Sequence, residues 1–165
     1  MSRRNLARPR SSQGGFSLIE VMVAVLILAF GLLGFALLQT TNVRFVQSAN
    51  YRTQATNLAN DLIELMRAQR TDTLAGGAYS SASFSAGSVK PSGACAWPTG
   101  AAVTPQANVA RWQCEVARTL GEKASAQVTF VQSTGEVTVA ISWGDQRWDP
   151  KDPDSLTTFG LTTFL

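Results

Sequence analysis

Three side chains stand out for the chemistry their types and surroundings allow: one carboxylate, Glu20, and two thiols, Cys95 and Cys114. Glu20 sits at the head of an apolar run. The eighteen residues from Val21 to Leu38 include none that is charged or strongly polar. A carboxylate at the middle of a bilayer costs about 2.5–3.5 kcal/mol on insertion scales. Two readings of Glu20 follow. It can rest at the membrane interface near a helix N-terminus, where the helix dipole favours an anion. Alternatively, it can require a positive partner inside an assembly. The cysteines both lie beyond the apolar run. An even count in an exported region predicts a disulfide between Cys95 and Cys114. Such a bridge closes a loop of about twenty residues and contributes roughly 3 kcal/mol in the chain-entropy model. A redox or nucleophilic thiol has little support, because the chain has no C-x-x-C and no histidine.

The lack of histidine also removes the commonest general base and the commonest metal ligand. Serines occur without a histidine base, carboxylates without an obvious pair, and no glycine loop of the phosphate-cradling kind is present. Asp145, Asp149, Asp152 and Asp154 cluster in one stretch, and several carboxylates in a loop can bind calcium. The EF-hand spacing is missing, however, and Arg147 and Lys151 offset the charge. This stretch reads as a solvated, turn-rich loop. Trp97, Trp112, Trp143 and Trp148 read as core or interface residues. No catalytic residue, metal ligand or cofactor is assigned, and the chain reads as the substrate of an enzyme rather than as an enzyme.

Charge is distributed unevenly. The formal net charge is +3, but Arg3, Arg4, Arg8 and Arg10 all precede the apolar run, without acidic company. With residues 1–15 removed, ten basic side chains face eleven acidic ones. The basic footprint that a nucleic-acid-binding surface needs is therefore missing from the body, and no nucleic-acid partner is expected.

Those arginines and the apolar run also define the membrane topology. Phe16 to Leu38 would be roughly 34 Å long as a helix, against a hydrocarbon core of about 30 Å. An ordinary secretory signal closes its apolar region with a small-residue cleavage site. Here the apolar run leads through Gln39-Thr40-Thr41-Asn42 into more helix-like sequence, and the glycines Gly14-Gly15 stand before it. The arginine bias places the N-terminus in the cytoplasm and the body outside, in the oxidising compartment that suits the cysteine pair.

Gly14-Gly15-Phe16-Ser17-Leu18-Ile19-Glu20-Val21 resembles the cleavage signature of type IV prepilins. The resemblance implies that a membrane-bound prepilin peptidase cuts after Gly15 and N-methylates Phe16, with Glu20 as the fifth-position glutamate of the processed chain. It also implies a positive partner for Glu20: the newly exposed amine at Phe16 of a neighbouring subunit. The following residues, Val21 to Gly34, are similar to the start of PilV-type minor pilins, and a looser similarity appears in Val137 to Trp143 followed by the Asp-rich loop. Major pilins often carry a helix-distorting proline in the apolar segment. This chain has none there, and Gly31 and Gly34 are its two weak helix formers. Helix packing and local unwinding are both open to them.

Beyond the apolar run, Ala55, Leu58, Ala59, Leu62, Leu65 and Met66 recur at three- and four-residue spacing and mark one helix face. One helix is therefore expected from about Phe16 to Arg70. Residues 71–105 read as a long irregular connection. Residues 108–120 read as a short helix, with Asn108 as its N-cap and Gly121 as its stop. Alternation predicts strands at Ala126–Val131, around Val137–Trp143 and at Thr157–Phe164, with a turn at Ser133-Thr134-Gly135. The fold expected is α+β, a pilin fold in which the long helix packs on a small antiparallel sheet of three or four strands. The expected division is a cleaved leader over 1–15, a membrane and filament-core half-helix over 16–38, a second half-helix over 39–70 and a globular head over 71–165.

The family resemblance implies a minor pilin that promotes initiation of pilus assembly, and through it adhesion and twitching motility. The partners implied are the major pilin, other minor pilins, the prepilin peptidase and the inner-membrane assembly platform, with the membrane itself before assembly. The implied location is the bacterial inner membrane in a single pass, with a periplasmic head, and then the pilus. A minor pseudopilin of a type II secretion system and a pilus-displayed adhesin are the alternatives.

Overall fold

The structure, a computed structural model, describes residues 15–91, 93–100, 103–145 and 155–165. The expected leader, apart from Gly15, lies outside the described residues, as do Arg147, Trp148, Asp149, Lys151, Asp152 and Asp154. The chain divides into two units, Met1–Arg44 and Phe45–Leu165.

In the first unit, helix α1 (Leu18–Ala68) begins after the non-helical residues 15–17. Every side chain from residue 15 to residue 44 is exposed. The apolar residues run all around the helix, and the segment reaches a mean hydropathy of 2.9 over eighteen residues. A helix that is apolar on all sides is one whose natural surroundings are lipid or other protein. Near its polar end, the Thr40 and Thr41 hydroxyls donate to the carbonyls of Ala36 and Leu37, at 3.1 and 3.2 Å. Such back-bonds satisfy the hydroxyls without breaking the helix.

In the second unit, α1 becomes amphipathic. It buries Ala55, Ala59, Leu62, Ile63 and Met66, while Leu58 and Leu65 pack at the margin. The stripe lies against a three-stranded antiparallel sheet in the order β1-β2-β3, with β1 Ser125–Val131, β2 Glu136–Gly144 and β3 Leu156–Phe164. Strand β2 is central, and its alternate residues Val137, Val139, Ile141 and Trp143 are fully buried against the helix side. The turn between β1 and β2 needs a left-handed residue, and Gly135 supplies it at φ 74°. The layout is α+β and pilin-like, a long N-terminal helix on a small antiparallel sheet. Among the described residues three strands form, with an additional bridge from Phe84 to Ala126 at the outer edge of β1.

Two expectations need correction here. The connection after α1 is not wholly irregular. Gln69 leaves helical geometry (φ −114°, ψ 45°), and a second helix α2, Arg70–Gly76, follows it. A 3-10 turn at Ser80–Ala82 comes next. Buried Thr73 ties α2 back to α1, its hydroxyl donating to the carbonyls of Met66 (3.2 Å) and Gln69 (3.0 Å). The third helix, α3, is longer than expected, Pro105–Leu120, and its N-cap is Thr104 rather than Asn108. Thr104 Oγ1 accepts from the Ala107 N–H at 3.3 Å, and Pro105 occupies the first turn, where its missing N–H costs nothing. Asn108 is buried one turn later. The helix ends at Gly121.

Candidate functional site

The candidate site in the first unit is short and local. Gly15, Phe16 and Ser17 are non-helical, exposed residues ahead of the first helical turn. A Cβ placed on Gly15 would meet no atom within 4 Å, so among the described residues nothing crowds this backbone. Phe16 is 84% exposed. The helix starts as the Ser17 carbonyl accepts from the N–H groups of Glu20 (3.0 Å) and Val21 (3.3 Å). Glu20 thus falls in the first turn of α1, where orphan N–H groups and the helix dipole favour a carboxylate. It is exposed and lines one shallow groove with Phe16, Val21, Ala24, Val25 and Leu28. An anion and the large apolar side chain of Phe16 therefore share one face, followed by a helix of uncovered apolar surface. Such a surface can dock a neighbouring apolar helix and offer one charge for a cation to meet. Gly31 and Gly34 lie further along, and a Cβ on either would also meet nothing within 4 Å.

The cysteines are in the second unit. Cys95 and Cys114 form a disulfide with a Cα–Cα distance of 5.7 Å, tying the segment before α3 to the helix itself. Cys95 is buried. No pairing of Gly15, Phe16 or Glu20 with the cysteines is implied, since the two groups belong to separate units.

Sequence reasoning missed three polar anchors in the head. Arg111 has a side chain only 2% exposed, yet it bridges Asp61 (3.0 Å) and Glu115 (2.8 Å), and its guanidinium lies 4.1 Å over the Trp97 ring. Burial of a paired, stacked guanidinium is the usual way to keep such a charge inside a protein. The Arg111–Glu115 spacing of four on a helix was the available signal. Gln69 is the second anchor. Its Oε1 accepts from the Tyr79 hydroxyl and from Asn108 Nδ2, and its Nε2 donates to the Val103 carbonyl at 2.8 Å. Burial pushes the Tyr79 phenol above its ordinary 10.0, and the Asp72 charge adds to that rise. The bond from Asn108 and the Arg111 charge act the other way. Asp145 is the third. It was expected in a solvated loop, but it is buried at the end of β2. There it accepts from the Ser48 hydroxyl of α1 at 2.6 Å and from Thr157 at 3.5 Å. All three tie separate segments of the head to one another.

Among known protein families, the model described as the prokaryotic N-terminal methylation motif matches residues 10–36. The match includes Gly15, Phe16 and Glu20 and runs on into the exposed apolar half of α1. This is a type IV pilin-like signal, and it indicates a type IV pilin-like or pseudopilin protein. Such a signal implies processing by a prepilin peptidase and assembly with other pilins, and its apolar helix is consistent with anchoring in the inner membrane. No curated protein and no solved structure matches the chain.

Proposed function

We propose that this chain is a minor pilin of the type IV pilus, of the PilV type, which promotes initiation of pilus assembly and thereby adhesion and twitching motility. The observation that carries the proposal is the methylation motif running into an apolar helix whose residues 18–44 are all exposed. In this reading residues 1–15 are a leader removed by the prepilin peptidase. Phe16 becomes the N-methylated first residue, and residues 16–38 pass from the bilayer into the filament core. The arginines of the leader hold the N-terminus in the cytoplasm and leave the head, over residues 71–165, in the periplasm. Within the filament, Glu20 meets the terminal amine of a neighbouring subunit. Methylation leaves that amine positively charged. An unpaired carboxylate in apolar surroundings is strongly unfavourable, and a paired one much less so. The carboxylate therefore sets the axial register at which a new subunit can enter.

The similarity of Val21–Gly34 to PilV-type proteins supports the minor-pilin reading over a major one. A minor pseudopilin of a type II secretion system is the second reading, because the same motif marks both. Mass spectrometry of sheared surface filaments separates them. The expected result is a peptide beginning at N-methylated Phe16, present far below the abundance of the major subunit. A chain still carrying its leader and found only in the membrane overturns the processing step. A processed chain absent from pili, whose deletion blocks protein export, selects the secretion system. Glu20→Ala should leave cleavage intact and reduce incorporation into filaments at least tenfold. Normal incorporation removes Glu20 from its proposed role.

A further inference from the structure

The two edges of the sheet differ. At β1 the outward-facing backbone is engaged. Ala126 N–H donates to the Phe84 carbonyl (3.0 Å), and the Ala126 carbonyl accepts from Phe84 N–H (2.9 Å). The Ser83 hydroxyl accepts from Val128 N–H (2.9 Å) and donates to the Val128 carbonyl (3.3 Å). At β3, among the described residues, no strand pairs on the outer side. Bonded and unbonded residues alternate along an antiparallel pair. Leu165 N–H donates to the Gly135 carbonyl (2.9 Å). By that alternation, Thr157, Phe159, Leu161 and Thr163 turn their backbone groups to β2, and Thr158, Gly160, Thr162 and Phe164 turn theirs outward. Exposed edges are commonly guarded by a lysine, a proline or a bulge. Leu156–Phe164 contains no charged residue and no proline, and its pairing with β2 is continuous from end to end.

The sequence of this edge, Leu-Thr-Thr-Phe-Gly-Leu-Thr-Thr-Phe, is chemically symmetric about Gly160. Reading outward in both directions, Phe159 mirrors Leu161, Thr158 mirrors Thr162, Thr157 mirrors Thr163 and Leu156 mirrors Phe164. We propose that β3 docks antiparallel on β3 of a second copy of this chain, Gly160 facing Gly160, to make one continuous six-stranded sheet across two heads. An isologous contact requires a surface to complement itself, and this register matches like with like on both faces. Gly160 is one of the outward-facing residues, so each N–H and C=O of Thr158, Gly160 and Thr162 finds a partner. On the outer face, Thr158 meets the second copy's Thr162. That contact continues the hydroxyl pairs already present between Thr138 and Thr162 and between Ser142 and Thr158, both 2.8 Å. At each end Leu156, 54% exposed, lies opposite the second copy's Phe164, 63% exposed. These are two of the few large apolar side chains that the head leaves uncovered. A Cβ on Gly160 would meet nothing within 4 Å among the described residues, so the outer face is open at the centre of the strand. The inference concerns the head alone and does not depend on the filament reading.

Cysteine cross-linking tests both the contact and its register. Two differently tagged full-length copies are co-expressed, kept in membranes or mild detergent, and oxidised. Residues facing each other in a hydrogen-bonded antiparallel pair have Cα atoms about 5.5 Å apart, within the range of about 4.4–6.8 Å that a disulfide spans. Gly160→Cys should therefore give a reducible homodimer. Thr158→Cys should link to Thr162→Cys on the other copy. It should not link to itself, since two Thr158 residues would lie about 13 Å apart along the strands. Gly160→Pro removes an outward N–H that β2 does not use, a substitution an edge strand tolerates, and should lower the dimer fraction at least tenfold. The proposal is overturned by failure of Gly160→Cys to link while Cys95–Cys114 stays closed. It is equally overturned by Thr158→Cys linking to itself as well as to Thr162→Cys, by a folded Gly160→Pro chain that still dimerises, or by capture of a different protein in place of the second copy.

Discussion

One helix, α1, contains two regions of similar backbone and opposite circumstance. Over residues 21–38 it is apolar on all sides and wholly exposed; over residues 55–66 it is apolar on one stripe and that stripe is buried. In the second region the apolar spacing matches the helical period, and the partner is present in the same chain: Trp112 of α3 and the inner face of β2. In the first region the apolar side chains of residues 21–38 are uncovered. Hydrophobicity specifies a need for cover without specifying what supplies it. A stripe with polar flanks can be satisfied by one sheet. A cylinder of apolar side chains needs surroundings on every side, and a bilayer or a ring of neighbouring helices provides them.

Large-to-small substitutions test this contrast most severely. Trp143 is fully buried on the inner face of β2, and Trp143→Ala should destabilise the head by about 3–5 kcal/mol. Leu33→Ala removes apolar volume from an exposed position and should leave head stability unchanged within about 0.5 kcal/mol. Urea unfolding of the detergent-solubilised chain, followed by far-UV circular dichroism, reads both. Equal effects would mean that the first half of α1 is packed on the head, and the comparison would collapse.

Next in size is the disulfide. Cys95 and Cys114 are 19 residues apart in sequence, and the bridge clamps the loop before α3. Opening it, by reductant or by replacing both cysteines with serine, should cost the head about 3 kcal/mol. Membrane association of the full chain should be untouched, because the first unit contains neither cysteine. A reduced chain that keeps its urea midpoint would show that the core holds the loop without the bond.

The sequence made some of this plain and hid the rest, for physical reasons. Alternation along Val137–Trp143 and the stripe from Ala55 to Met66 are each set by burial against one surface, so period alone reveals them. The N-terminal motif is local in sequence, and Gly15, Phe16 and Glu20 need no fold to be recognised. Helix α2 was hidden because it depends on distant partners. Gln69 breaks α1 and then bonds Tyr79, Asn108 and Val103, and the Thr73 hydroxyl folds the new turn back. Asp145 looked solvated because its neighbours in sequence are charged, but Ser48 lies ninety-seven residues away and draws it into the interior. Arg111 was hidden in the same way, since one of its two carboxylates, Asp61, comes from α1.

The smallest effect distinguishes the two helices by what starts them. Helix α3 has sixteen residues, and it begins at a loop rather than in a long preformed helix. Both Thr104 and Asn108 are residue types that cap helices, which is why sequence reasoning placed the start one turn late. The available signal was Pro105, which is favoured at the first position of a helix, directly after a capping Thr104. Thr104→Ala should therefore cost the head about 1 kcal/mol, whereas Thr104→Asn, which restores a side-chain acceptor, should recover most of that loss. Asn108→Ala should also destabilise the head, by removing a buried donor to Gln69 rather than a cap, so Thr104→Asn should not rescue it. Thermal unfolding of the four chains separates the roles. If Thr104→Ala cost nothing while Asn108→Ala cost about 1 kcal/mol, α3 would start where the sequence first suggested.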